Sequence, residues 1–110
     1  MYLLIDNSNK IEIKKASSIF KRFMGFMGKK NINYGLFFKH TNSIHTFFMK
    51  ENIDVIAINN QYEVIYKAQN LGKNKIIKIN NKIKNTSIIE LPSNASKKIK
   101  VGQKLTFISE

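Results

Sequence analysis

The chain has 110 residues, with 19 lysine plus arginine against 7 aspartate plus glutamate, a formal charge of +12, one proline and no cysteine. That length supports one domain with a single core and no staples, and the lack of cysteine excludes disulfides and thiolate metal sites. No apolar run reaches membrane-spanning length, and Met1-Tyr2-Leu3-Leu4-Ile5 passes at once to Asp6 and Asn7, without the basic start and long apolar middle of a signal peptide. With Met1 as the native start the expectation is a cytoplasmic protein; if a leader was removed, the mature chain is secreted or surface-anchored.

In chain order, Tyr2 to Asp6 and Ile11 to Ile13 read as short strands joined by the turn residues Asn7-Ser8-Asn9. The period then changes. With Ser17 or Ser18 as N-cap, Ile19, Phe20, Phe23 and Met24 recur at helical spacing and Gly25 is the stop, which predicts a two-turn helix lying on a sheet. Gly35 to Phe38 and Ile44 to Met49 read as buried strands. Val55 to Ile58 and Tyr62 to Tyr66 flank Asn59-Asn60-Gln61 as a hairpin. Further strands are expected at Lys75 to Ile79, Thr86 to Leu91 and Lys104 to Ile108, with a helical turn between Pro92 and Lys98. Many short strands separated by turn signals predict a mainly β fold, a small barrel or sandwich with one or two short covering helices.

The basic excess carries less information than its size suggests. Of the 19 basic residues 18 are lysine, scattered with doublets only at Lys14-Lys15, Lys29-Lys30 and Lys97-Lys98, and asparagine and isoleucine are abundant too. This is the imprint of an AT-rich genome more than of a binding surface, and nucleic acid is expected to meet the chain only through nonspecific attraction. Against that background the one arginine, Arg22, points to a position where a planar bidentate fork is needed. Asp54 and Glu90 sit inside apolar segments, so they are the carboxylates most in need of such a partner.

The run from His45 to Ile56 places one of two histidines and a carboxylate among apolar residues. Histidine is the side-chain type whose ordinary pKa lies nearest neutrality, so His45 can serve as an acid or base, with Asp54 or Glu90 orienting it. The alternative is a structural histidine whose ring nitrogens satisfy backbone groups. His40 and His45 are five apart, which is not a ligand spacing on helix or strand, so no metal and no cofactor are expected. There is no nucleophile-elbow sequence and no glycine-rich phosphate loop.

The succession Arg22-Phe23-Met24-Gly25-Phe26-Met27, Gly35-Leu36-Phe37-Phe38, His45-Thr46-Phe47-Phe48-Met49, Ile53-Asp54-Val55-Ile56, Ile89-Glu90-Leu91-Pro92 and Val101-Gly102-Gln103-Lys104-Leu105 resembles the uncharacterised bacterial and archaeal family DUF 192, over roughly residues 16 to 108. Asn52, Phe26, Gln103 and Ser93-Asn94 depart from the usual pattern, at positions that bear on turn geometry more than on fold. The resemblance implies a compact, mainly β domain, often found in secreted or membrane-anchored versions, with no agreed activity.

The leading expectation is a non-enzymatic ligand- or protein-binding module, a monomer or weak oligomer, with a mouth near Arg22, His45, Phe48, Met49, Asp54 and Glu90. There Arg22 pairs with a carboxylate, while His45 and nearby aromatics contact a small-molecule or protein ligand. The alternatives are a hydrolase or lyase using His45 with Asp54 or Glu90, and a polyanion binder acting through lysine.

Overall fold

The structure, a computed structural model, describes residues 1–16, 25–80 and 82–109. Nine strands occur among them: β1 (Tyr2–Leu4), β2 (Lys10–Lys15), β3 (Gly35–Phe38), β4 (Ser43–His45), β5 (Ile53–Ile58), β6 (Val64–Leu71), β7 (Ile76–Lys78), β8 (Ser87–Pro92) and β9 (Phe107–Ile108). Seven form one sheet in the order β6-β5-β8-β3-β2-β1-β9, and β4 with β7 makes a separate ribbon.

The first hairpin follows its turn residues. Asp6 Oδ1 accepts from the N–H groups of Ser8 and Asn9 at 2.8 and 2.9 Å, closing the connection between β1 and β2. The strands β2 and β3 are parallel, the one parallel pairing in the sheet, and so need the long connection over residues 16–34. At the centre, every residue of β5 is buried, and its neighbour β8 is nearly so, as expected of strands covered on both faces.

Two apolar layers explain that burial. On one face Leu3, Ile13, Phe37, Ile56, Ile58, Ile89 and Leu91 pack together with Ile99 and Leu105. On the other, Phe26, Phe38, Met49, Val55, Ala57 and Ile88 pack with Ile77 and Ile79 from the ribbon and the residue after it. The period of two thus sorts β5 cleanly, with Ile56 and Ile58 one way and Val55 and Ala57 the other.

The sheet curls strongly around the first layer. In a flat sheet β6 and β1, five strand steps apart, would be separated by about 24 Å. Here Val64 donates its N–H to Gln103 O at 2.9 Å and Leu4 donates to Thr106 O at 3.0 Å, so a segment four residues long reaches from one strand to the other. Among the described residues, strand pairing on this side amounts to one isolated bridge, Glu63 with Lys104 just before β6, not a ladder. The barrel expectation is therefore corrected: the sheet curls but does not close.

The helices also need correction. No helix occurs among the described residues, and hence none long and apolar enough to cross a membrane. The helix predicted from Ser17 to Met24 lies outside them. After β8 the chain makes successive turns, with Ala95 N–H to Pro92 O, Lys97 N–H to Asn94 O and Ile99 N–H to Ser96 O, in place of a helical turn. Asn94, with φ at +68°, interrupts any continuous helical run there.

Candidate functional site

The register of β5 against β8 decides which of the expected site residues can meet. Val55 pairs with Glu90, and Asp54 pairs with Leu91. Paired residues share a face and successive residues alternate, so the two buried carboxylates point to opposite sides of the sheet.

Asp54 is fully buried, in the apolar layer of Leu91, and its two oxygens are well supplied. Oδ1 accepts from the N–H of Asn70 at 2.7 Å and of Asn94 at 2.9 Å, and Oδ2 accepts from the N–H of Ser96 at 2.8 Å and from the Ser96 hydroxyl. Asn70 belongs to an irregularity in β6, where the register against β5 shifts between Ile53 and Val55. The carboxylate therefore ties a bulge in one strand to the turns that follow another, with four donors for one charge.

Glu90 is almost as deeply buried, at 3% exposure, and poorly supplied. The backbone N–H of Phe26 donates to its carboxyl group, while Oε1 has no hydrogen-bond partner among the described residues. Burial pushes the group up to about 7, although the Phe26 bond pulls the other way. Gly25 makes the approach possible: its φ is +50°, and a Cβ there would lie 2.8 Å from Glu90 Oε1. Any other residue would be strained by its backbone and blocked by the carboxyl group.

Glu90 opens onto a cavity of about 200 Å³ between the ribbon and the main sheet. Its apolar wall is Phe26, Phe38, Ile44 and Met49; its polar lining is Glu90, His45, Thr41 and Ser43; and Phe47 stands at its side. His45 ends β4. Its Nδ1 accepts from the Phe47 N–H at 3.2 Å, and its ring stacks on that of Phe47 with centroids 5.1 Å apart, so the neutral ring carries its proton on Nε2. Thr46, fully buried, fixes the base of this segment by donating its hydroxyl to Gly72 O and accepting from Lys75 N–H, both at 2.8 Å.

Of the residues expected at one mouth, the fold brings together His45, Met49 and Glu90. Asp54 lies across the sheet from them. Phe48 is 76% exposed, with φ at +62°, and points away while its neighbour Phe47 lines the cavity. Arg22 is outside the described residues. Gly25, Thr41 and Ser43 were not anticipated from sequence. For Phe47 a signal existed, since in an extended segment it shares a side with His45 two residues earlier.

A family model described as an uncharacterised ACR, DUF192, matches residues 2–107. The chain belongs to the DUF192 family. Archaeal relatives carry the family's other name: a UPF0127 protein of Thermococcus sibiricus is 42% identical over 59 residues, 48% of this chain and 38% of that protein. Another, from Pyrococcus furiosus, is 39% identical over 62 residues, 51% of this chain and 53% of that protein. The matched part thus spans about half or less of these relatives. Two solved structures share the DUF192 chain's fold. A Sinorhizobium meliloti protein described as a candidate transcription regulator superposes with a TM-score of 0.76 at 16% identity, over 96% of this chain and 90% of that one. A Novosphingobium aromaticivorans protein of unknown function gives 0.73 at 14% identity, over 96% and 82%.

Proposed function

We propose that this domain is a binding module whose site is the cavity between the ribbon and the Glu90 face of the sheet. The observation that supports it is Glu90 Oε1, a buried oxygen with no donor among the described residues, in the wall of that cavity. An unpaired buried polar atom costs about 1–3 kcal/mol, and folds keep such atoms where something is to be bound or done. The cavity is smaller than the roughly 300–1,000 Å³ of sites for drug-sized molecules. Its occupant is a compact molecule, or one side chain of a protein partner, with an apolar body against Phe26, Phe38 and Met49 and an amine or amide donor on Glu90.

We take Arg22, expected from the sequence to pair with a carboxylate, as the competitor for that oxygen. It stands three residues before Gly25, at most about 11 Å along the chain, and Asp54 already has its four donors.

The test is a chemical-shift titration with n-propylamine and propionamide. Saturable shifts at Phe26, His45 and Met49 in the wild type, abolished in Glu90→Met, are the expected result. Equal shifts in Glu90→Met would overturn the reading, as would no saturable shift in either the wild type or Arg22→Ala, where the competitor is gone.

A second reading has its own support. Glu90 is pushed up to about 7 in the same cavity as His45, beside the hydroxyls of Ser43 and Thr41, and such displaced groups suit the acid/base chemistry of a hydrolase or lyase. It requires turnover, on a panel of small esters and amides, that follows a bell-shaped pH profile and disappears in both His45→Ala and Glu90→Gln with the fold intact. A flat profile, or turnover that survives either substitution, removes it.

A further inference from the structure

We propose that the turn at residues 46–49, with the ribbon edge beside it, is a docking surface for an anionic lipid membrane, and that Phe48 is the group that enters the lipid. Met49 donates its N–H to Thr46 O at 3.3 Å, which makes Phe47 and Phe48 the two corner residues of the turn. Both rings are exposed, that of Phe48 by 76%. Turn corners ordinarily go to glycine, asparagine, aspartate, serine or proline, so a phenylalanine at the left-handed corner serves neither the backbone nor the core. Ile76 extends the patch. It pairs with His45 across the ribbon, shares its face, and is 61% exposed. Large apolar side chains grouped in water at one end of a domain mark a contact surface.

The turn is held from two sides. Gly28 donates its N–H to Phe48 O at 3.1 Å, and Lys29 donates to Phe26 O at 3.0 Å, which sets a second turn, at residues 26–29, against the first. On the other side the bend at residues 72–75 wraps round Thr46, which donates its N–H to Lys75 O at 2.9 Å and accepts at its carbonyl from Asn74 N–H at 3.3 Å. Phe48 is thus presented on a fixed scaffold, and little ordering of the backbone remains to oppose docking.

Charge selects the partner, through the position of the lysines and not their number. Lys29, Lys30, Lys50, Lys73 and Lys75 lie on these three segments or one residue beyond, all exposed and none in an ion pair among the described residues. Within two residues of the segments, the one carboxylate among the described residues is that of Glu51, whose Oε1 accepts from Ile32 N–H at 3.2 Å. An apolar tip flanked by ammonium groups fits an anionic bilayer, where the rings reach the acyl boundary and the lysines stay at headgroup level. A protein partner would need a pocket shaped to a projecting ring and carboxylates placed around it. A lipid surface supplies both without shape complementarity.

The chain has no tryptophan, so Phe48→Trp places a single reporter at the tip. The probes are vesicles of phosphatidylcholine alone and of phosphatidylcholine mixed with phosphatidylserine at roughly two to one, titrated at about 0.15 M salt. Expected are a blue shift of the Phe48→Trp emission on the mixed vesicles and wild-type co-sedimentation at least about tenfold stronger with them than with phosphatidylcholine. Phe48→Asn, which tolerates the left-handed backbone, is expected to weaken binding about tenfold, and Lys73→Ala with Lys75→Ala about fivefold or more, without lowering the thermal midpoint. Unshifted emission on vesicles that carry the protein down, or undiminished binding of Phe48→Asn, would overturn the proposal, because lysine alone would then account for the attraction. So would the absence of co-sedimentation with the mixed vesicles. A wild type that self-associates without lipid, reversed in Phe48→Asn, would also overturn it and assign the tip to a second copy of the chain.

Discussion

Asp54 and Glu90 sit one residue out of step on adjacent strands, equally removed from water, and face opposite sides of the same sheet. One has four hydrogen-bond donors and joins three segments of chain. The other has an oxygen with no described partner and a cavity in front of it. Burial of a carboxylate therefore does not by itself mark a site; the supply of donors distinguishes a structural clamp from a group held for a purpose.

The comparison is broken most directly by substitution at the clamp. Asp54→Ala leaves three backbone N–H groups and a hydroxyl without an acceptor and is expected to cost about 4 kcal/mol or more, measured by urea unfolding. A loss below about 1 kcal/mol would mean that water replaces the carboxylate there, and that Asp54 is not the anchor described.

The second effect is pH-dependent. The Glu90 carboxyl stands at about 7 in the fold against an ordinary 4.5, so the folded state holds its proton more tightly than the unfolded chain does. Stability from this source is complete below about 4.5 and is lost as pH rises through 7, a total of about 3 kcal/mol. Glu90→Gln is expected to match the wild type at pH 4 and exceed it by up to that amount at pH 8. A wild type that gains as much as Glu90→Gln across this window would show that Oε1 is paired with a cation. A drop in wild-type stability at pH 8 on replacing Arg22 with alanine would then identify that cation.

Gly25→Ala comes next. The added carbon meets Glu90 Oε1 at 2.8 Å on a left-handed backbone, for a cost of about 2 kcal/mol. Combined with Glu90→Ala the steric part should vanish, leaving only the backbone part. A double-mutant cycle with no coupling would place the glycine and the carboxyl further apart than described. The smallest effect is at Phe48, whose ring is mostly in water on a left-handed backbone: Phe48→Gly is expected to raise stability by roughly 0.5–1 kcal/mol. Destabilisation there would mean that the exposed ring packs against something in solution.

Much of the sheet was legible from alternation and turn residues. Gly35 to Phe38 appears as read, the first hairpin closes at Asp6 to Asn9, and the strands near Ile76 and Ile88 fall within a residue or two of their expected limits. The errors have physical causes. Ile44 to Met49 looked like one buried strand because all but two of its residues are apolar, yet pairing stops at His45 and the left-handed Phe48 turns the chain. The second strand of the Asn59–Gln61 hairpin was expected to end at Tyr66, yet β6 continues to Leu71, half-exposed at the sheet edge with a bulge satisfied by a carboxylate from the neighbouring strand. His45 and Glu90 were recognisable as polar groups in apolar runs. That Asp54 belongs to the other face could not be read, because the face depends on the register of β5 with β8, and those strands are more than twenty residues apart in the chain.

The short segment that joins Val64 through Gln103 to Leu4 through Thr106 has a consequence for how the molecule is made. The first strand, Tyr2–Leu4, takes its outer partner from Phe107 and Ile108, about a hundred residues later, so during synthesis β1 is a bare edge until the segment carrying β9 has been made. Until that late pairing is made, the lysine-rich, mutually repelling surface helps to keep such bare edges on different molecules apart.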